Sequence, residues 1–408
     1  MKKKPSRPKP ARWFLRVLPP LAIILVALPC RADEHTCVPG ESPKAGYRQR
    51  RVSFPSPKPS GNVRNDVVWC DYYTPITPGP HPAMLVLHAF RTKAGHKERD
   101  LCRAAARNGI VTLLMTLPYH MARRSAEAGP KQLLADDATR ALEAFRQATA
   151  DGLAAVDWLA RQSEVNTHRL GLVGLSLGTF IGVRVMANEP RLRFGVLILG
   201  GGGLDVLIKD SLIGQALFQA MVRRGGNPLE ALPKLLELDP VSYADKLRDR
   251  RLLMINGLYD TIIPPAAATR LWERLGRPEL IWIPIGHQGA VLFRALLIEE
   301  GLRFVQQAVR DEPRAPPQVR FRNLFSPKLS LVGTRNGEVR PAVVGELFRF
   351  DARGRFAFDL GLMPTRLLAG VSFNTGTLQR YGWTDLGIGV AVNRHGRGEP
   401  YLAFGFHF

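Results

Sequence analysis

The chain has 408 residues, 45% of them hydrophobic and 23% charged, close to the averages of globular proteins and far from disordered or collagen-like compositions. At about 100–200 residues per domain this length allows two or three domains with a core large enough to enclose a catalytic site, and it excludes a peptide-sized module. The formal net charge is +22, but Lys2, Lys3, Lys4, Arg7, Lys9, Arg12, Arg16 and Arg31 all precede Asp33 with no acid among them. A basic chain can bind nucleic acid, an anionic membrane face or acidic ligands. Here the remaining Arg and Lys are scattered, and no helix-turn-helix, zinc-finger or ribonucleoprotein motif is visible, so no nucleic-acid partner is expected.

Residues 2–12 are cationic, Val17–Leu28 is almost unbroken aliphatic apart from Pro19-Pro20, and Ala32 precedes Asp33. This is the layout of a secretory signal peptide. The apolar stretch falls short of the roughly 20 residues that cross a bilayer, so cleavage after Ala32 is expected, with export to the periplasm or cell envelope, the outer membrane included. Ala27-Leu28-Pro29-Cys30 resembles a lipoprotein site, although Pro beside the Cys fits it poorly. Export implies an oxidising compartment. The mature chain would hold Cys37, Cys70 and Cys102; a Cys37–Cys70 bridge is the expectation, with three unpaired buried thiols as the alternative.

From about Tyr47 to Arg310 short apolar runs alternate with helical patterns, which predicts a mostly parallel central sheet covered on both faces. Arg51–Phe54 and Val67–Tyr73 read as opening strands, and Met84–His88 as a central buried one. A helix over His96–Arg107, a strand over Ile110–Thr116 and a long helix over Gln132–Arg161 follow. The strand Leu170–Leu175 runs into a helix near Leu177–Asn188, and Phe194–Leu199 precedes Gly200-Gly201-Gly202-Gly203. Residues 204–248 read as a helical insertion placed to act as a lid. Strands over Leu252–Asn256 and Leu280–Pro284 and a helix over Val291–Val309 complete this region, 33–310.

Asp311–Pro317 reads as a linker. Beyond it, in 318–408, almost nothing is helical. Lys328–Val332, Val343–Phe350, Phe356–Leu362, Leu367–Phe373, Leu386–Val392 and Tyr401–Phe408 are strand-like. Phe356, Phe358, Leu360 and Leu362 alternate with other residues, as do Leu402, Phe404, Phe406 and Phe408, so these strands carry one apolar face. A small soluble β-sandwich or barrel and a segment of an outer-membrane-type barrel both fit this all-β region. The second draws on the terminal Phe408 and the aromatic alternation leading to it, against a length that supplies fewer than the eight strands such barrels need.

Gly174-Leu175-Ser176-Leu177-Gly178 fits the G-x-S-x-G pattern and sits between a strand and a helix, the setting in which the Ser hydroxyl is held above a sheet on a strained turn. A Ser hydroxyl needs a base within hydrogen-bond reach and a third group to orient that base. Asp260 follows one strand and His287 the last, so acid and base arrive at the same sheet edge in the order serine, acid, histidine. Asp239, Asp245 and Asp249 compete as the acid, and His88 and His120 as the base, but none of the three acids stands at the right strand end. Backbone N–H groups for a developing oxyanion are expected from Leu177 and from Ala89 or Phe90, with His88 holding the loop. Tyr119 and Arg123 border the site as candidates to bind a substrate carboxylate or phosphate. No metal-ligand spacing and no phosphate-cradling glycine loop with its Lys is present, so neither metal nor cofactor is expected.

On Met84–Arg91, Gly174–Gly178, Gly257–Asp260 with Ile262-Ile263-Pro264, and Gly286-His287, residues 47–310 resemble the α/β-hydrolase superfamily, most of all its dienelactone-hydrolase, acyl-esterase and prolyl-peptidase branches. The resemblance implies an α/β-hydrolase fold with a helical lid insertion, to which the C-terminal all-β domain is added. It also implies a serine hydrolase acting on a small-molecule carboxylic ester through Ser176, His287 and Asp260, which the signal-like N-terminal segment would make an exported one. The oxyanion loop reads His-Ala-Phe rather than His-Gly-Gly, and Ser stands where dienelactone hydrolases carry Cys. A serine peptidase of the same fold and a non-catalytic envelope binding or scaffold protein are the alternatives. The β-domain offers an envelope or outer-membrane association.

Overall fold

The computed structural model describes residues 36–38, 46–310, 312 and 319–407, apart from 91, 93–94, 127, 134–136, 224, 292, 322–325, 335–336, 350–355 and 379–381. The expected signal segment 1–32, nearly all of the expected linker, the side chains of Cys37, Phe356, Phe358 and Phe406, and Phe408 lie outside the described residues.

In chain order the first region runs β1 (Thr36–Val38), β2 (Tyr47–Pro55), β3 (Val67–Pro75), β4 (His81–Leu87), α1 (His96–Arg107), β5 (Val111–Met115), α2 (Ala138–Ala160), β6 (Val165–Leu175), α3 (Leu177–Asn188) and β7 (Leu192–Ile198). An insertion of α4 (Leu204–Asp210), α5 (Leu212–Arg223), α6 (Pro228–Leu238) and α7 (Val241–Ala244) follows, then β8 (Arg251–Gly257), α8 (Pro265–Arg274), β9 (Glu279–Ile283), α9 (Arg294–Val309) and β10 (Val319–Phe321). These strands form one sheet in the order β1-β2-β3-β5-β4-β6-β7-β8-β9-β10. β4 through β10 run parallel, and β1, β2 and β3 join antiparallel at one edge.

The central strands are continuous apolar runs because both of their faces are covered. On β4, Leu85 and Leu87 point into a cluster with Leu172, Phe145, Val156 and Ile181, while Met84 and Val86 point into a second cluster with Leu101, Val173, Phe304 and Val305. The sheet therefore lies between α2, α3 and α8 on one side and α1 and α9 on the other. α2 starts six residues later than the apolar period suggests because the Asp137 side chain accepts the N–H groups of Thr139 and Arg140, closing the helix there. β10 comes after the expected linker yet pairs parallel to β9, so the sheet takes a strand that composition alone assigns to the next region.

The expected Cys37–Cys70 bridge does not form. Cys37 aligns with Val52 on β2, and Val52 aligns with Cys70 on β3, so a whole strand separates the two cysteines. Two strand spacings come to about 10 Å, beyond the roughly 7 Å between Cα atoms that a disulfide spans. Cys70 and Cys102 are free, buried thiols.

The C-terminal region is a closed barrel of β11 (Ser326–Thr334), β12 (Val339–Arg349), β13 (Phe356–Met363), β14 (Arg366–Leu378), β15 (Gly382–Asn393) and β16 (Gly398–His407). Each strand pairs antiparallel with its chain neighbours, and β16 returns to β11. Inside, Val332, Ala342, Val344, Leu368, Ala391 and Tyr401 form one packed layer. A second layer is polar: Lys328 Nζ donates to Asp359 Oδ2 at 2.6 Å, Ser372 Oγ at 2.7 Å and Asp385 Oδ2 at 2.9 Å. The outer positions carry exposed Leu, Ile, Val and Phe.

Candidate active site

The strand β6 delivers Ser176 to the carboxyl edge of the sheet with φ 50 and ψ −111, a conformation a non-glycine residue adopts only under surrounding constraint. The flanking glycines supply that constraint. A Cβ on Gly174 would stand 2.5 Å from the Gly178 carbonyl oxygen, and one on Gly178 would stand 2.2 Å from the Leu87 carbonyl oxygen. The turn thus closes against the end of β4 and admits no side chain at either position. The Ser176 N–H donates to Ile198 O at 2.8 Å, and Thr179 Oγ1 donates to Gly174 O at 2.9 Å.

Two loops bring the partners. Leu258 and Tyr259, after β8, donate their N–H groups to Ile283 and Ile285, so the loops after β8 and β9 are laced together. Asp260 is buried, with Oδ1 accepting the Ile262 and Ile263 N–H groups at 2.8 Å each. Its Oδ2 lies 2.7 Å from His287 Nδ1, and His287 Nε2 lies 2.9 Å from Ser176 Oγ. A carboxylate accepts only, so Nδ1 carries the proton and Nε2 is left as an acceptor facing the serine hydroxyl. Such a chain can take the proton from Oγ as the oxygen attacks an electrophile. The sequence-level rivals are engaged elsewhere: Asp239 accepts the N–H groups of Gly203, Leu204 and Val241, and Asp245 pairs with Arg248 and Arg274.

Leu177 is the first residue of α3, and among the described residues nothing accepts from its N–H or from that of Phe90. Ala89, the other candidate, donates its N–H to Glu98 Oε1 at 3.3 Å. Glu98 is a residue the sequence reading passed over. It is buried in the first turn of α1 and also accepts from Thr92 Oγ1 at 3.3 Å, so it ties the loop after β4 to the helix that follows. An acid in the first turn of a helix was its one signal in the sequence.

His88 is buried beneath this loop. Its Nδ1–H donates to Ala89 O at 2.8 Å and its Nε2 accepts the Leu117 N–H at 3.0 Å. Burial pushes its pKa down to about 4, so the ring is neutral and bridges the loops after β4 and β5. His120 stacks edge-on against it, 4.9 Å between ring centroids, and burial followed by the neighbouring His88 pushes its pKa down to about 3. Neither ring serves Ser176.

Arg123 is not a substrate-binding group. It is fully buried, pairs with Asp151 at 2.8 Å, and donates to the carbonyl oxygens of Asn65 and Thr116. Its cation ties the loop after β5 to α2, and buried this way it meets no ligand in solvent. Tyr119, with φ 62, donates its N–H to Asn65 Oδ1 at 2.8 Å, and its half-buried side chain packs against the hydrophobic core.

The profile of the prolyl oligopeptidase family matches residues 143–280, and that of the dienelactone hydrolase family matches residues 71–210. An uncharacterized protein of Mycobacterium tuberculosis is 27% identical over 253 residues, which cover 58% of this chain and 57% of the relative. The chain thus spans a little over half the length of that curated relative. Esterase YjfP of Escherichia coli is 25% identical over 215 residues, 50% of this chain and 81% of its own length. Among solved structures, acetyl xylan esterase 1 of a Thermoanaerobacterium species superposes with a TM-score of 0.54 at 20% identity, covering 66% of this chain and 88% of its own. The acetyl xylan esterase of a Paenibacillus species does so with a TM-score of 0.54 at 17% identity, covering 67% and 87%. At these identities the two structures speak for the fold alone.

Proposed function

Because the chain belongs to the α/β-hydrolase superfamily, we propose that it hydrolyses a small carboxylic ester through an acyl-enzyme formed on Ser176. The observation that carries the reading is the unbroken series from Ser176 Oγ through the His287 ring to Asp260, with links of 2.9 and 2.7 Å. Ser176 Oγ attacks the ester carbonyl carbon while His287 Nε2 takes its proton. The tetrahedral oxyanion receives the N–H groups of Leu177 and Phe90, donors of a kind worth about 3–4 kcal/mol each. The His287 imidazolium, steadied by the Asp260 carboxylate, then protonates the departing alcohol. Water attacks the acyl carbonyl with His287 again as base, and the acid leaves.

The match to esterase YjfP favours an ester as substrate. The match to the prolyl oligopeptidase family over 143–280 favours a peptide bond, which the same groups would cleave by the same steps. The cationic and aliphatic residues before Asp33 support export, with the periplasm or cell envelope as the place of action. The test is turnover of a p-nitrophenyl ester series and of aminoacyl p-nitroanilides by the full chain, beside Ser176→Ala. Ester turnover that the variant loses while keeping its fold supports the reading. Anilide turnover alone moves it to a peptidase, and equal rates in both proteins refute a role for Ser176.

A further inference from the structure

The C-terminal barrel is apolar on its outside and holds a charged layer as well as an apolar one inside. Lys328, Asp359 and Asp385 lie inside with side chains 1–3% exposed, whereas Leu362, Leu367, Ile388 and Leu402 on the outer surface are 60–67% exposed. Most of the large apolar side chains exposed among the described residues lie between 329 and 404. Among the described residues no charged side chain interrupts the outward positions of β14 through β16 between Leu367 and Phe373, Leu386 and Val392, or Leu402 and Phe404. A barrel folding into water gains by the opposite arrangement, with apolar groups filling the lumen and polar ones outside.

Hydrocarbon reverses the account. There an outward apolar face is not penalised, every backbone polar group must be paired within the protein, and interior charges must be satisfied by one another. The barrel meets the first two conditions and the third in part, since one Lys stands between two carboxylates and Asp359 Oδ1 has no hydrogen-bond partner among the described residues. β16 pairs with β11, so no strand edge is left open. Lys328 reaches both carboxylates and the Ser372 hydroxyl. The outward positions Leu386 to Val392 on β15 cover about 20 Å along the strand, which at the 35–45° tilt usual in membrane barrels is about 15 Å of height, enough to enter hydrocarbon and short of the apolar band of about 25 Å on barrels that span it. At the β15–β16 turn, Arg394 and Arg397 are exposed, so charge returns at the end of the barrel where headgroups would begin. Six strands enclose only side chains: the packed layer around Val332 and Leu368 and the polar layer around Lys328 fill the lumen, so the barrel is solid.

We propose that the outer face of this barrel seats in the hydrocarbon of a lipid bilayer and holds the hydrolase region at the membrane as an anchor, not a channel. The test is flotation of the full chain with phosphatidylcholine vesicles on a density gradient, beside the double variant Ile388→Lys, Leu402→Lys. The expected result is a vesicle-bound fraction that resists a high-salt wash and falls at least about tenfold in the variant, with the circular dichroism of the fold unchanged. Residues 1–32 are present in both proteins, so the difference reports on the barrel. Should the variant fold poorly, Leu402→Trp in vesicles of brominated phosphatidylcholine gives a second reading: quenched emission supports the proposal and unquenched emission overturns it. A full chain that stays in the aqueous fraction, either as a detergent-free monomer or as a dimer joined through the barrel faces, also overturns it.

Discussion

The two sheets of this chain are made from similar residues and use them in opposite directions. In the hydrolase sheet, Leu85 and Leu87 face one apolar cluster and Met84 and Val86 another, and helices cover both. In the barrel, the exposed Leu360 and Leu362 alternate with Asp359 and Gly361, and it is the Asp that lies inside. Alternation along a strand states that two faces differ in polarity. Which face is covered depends on how the strands close and on what packs against them, so alternation alone does not say which side is the inside.

The strongest way to break the comparison is at Ser176. Ser176→Ala should lower ester turnover by about 10⁴-fold or more with no change in thermal unfolding, while Lys328→Met in the barrel should leave the turnover number in place. Activity that follows the barrel variant instead would join two regions that the proposal separates.

Stability sharpens it next. Lys328→Met leaves Asp359 and Asp385 buried without their cation, and Arg123→Met does the same to Asp151. Each should destabilise its own region by about 3–5 kcal/mol, read as separate shifts in denaturant midpoint. An Arg123 variant that keeps its stability but raises KM would restore the substrate-binding role that burial removes.

A smaller effect belongs to the hydrolase region alone. Burial holds the His88 pKa at about 4, below its ordinary 6.5. As pH falls through 6.5 the unfolded chain binds a proton that the folded ring refuses, so stability should decline down to about pH 4, by on the order of 3 kcal/mol. Urea unfolding at a series of pH values checks this, and His88→Gln should make the limb shallower, leaving the part that His120, with its pKa pushed down to about 3, contributes. An unchanged limb in that variant would assign the acid sensitivity to other groups.

What the sequence made legible was local. The G-x-S-x-G turn, Asp260 and His287 each follow an apolar run that reads as a strand, and strand ends on one edge of a parallel sheet necessarily gather. All six barrel strands were legible as strand-like runs, two of them, Phe356–Leu362 and Tyr401–Phe408, from their alternation. The misreadings share a different origin, since each depended on tertiary placement. Arg123 looked like an exposed loop cation because its partner Asp151 sits on the far side of a helix start. The Cys37–Cys70 pairing ignored the strand that the register puts between them. Glu98 carried only its place in a first turn, and Val319–Phe321 joins β9 across a segment that reads as a linker. Closure of the barrel, β16 onto β11, is a pairing between residues some 70 positions apart that no local pattern encodes.

The smallest effect separates the two regions most directly. Leu172 is fully buried between the sheet and its helices, and Leu402 is 67% exposed on the barrel. Leu172→Ala removes buried methyl groups and leaves a cavity, so it should lower stability by about 2–5 kcal/mol. Leu402→Ala removes the same atoms from a site where the fold buries few of them, and in detergent-free buffer it should change stability by no more than about 0.5 kcal/mol. A large loss at Leu402 in water would mean that the outer face is covered by protein, and the comparison between the sheets would collapse to two ordinary cores. A near-zero loss would mean that the outward leucines add nothing to folding in water, which is what a face built to meet lipid should do.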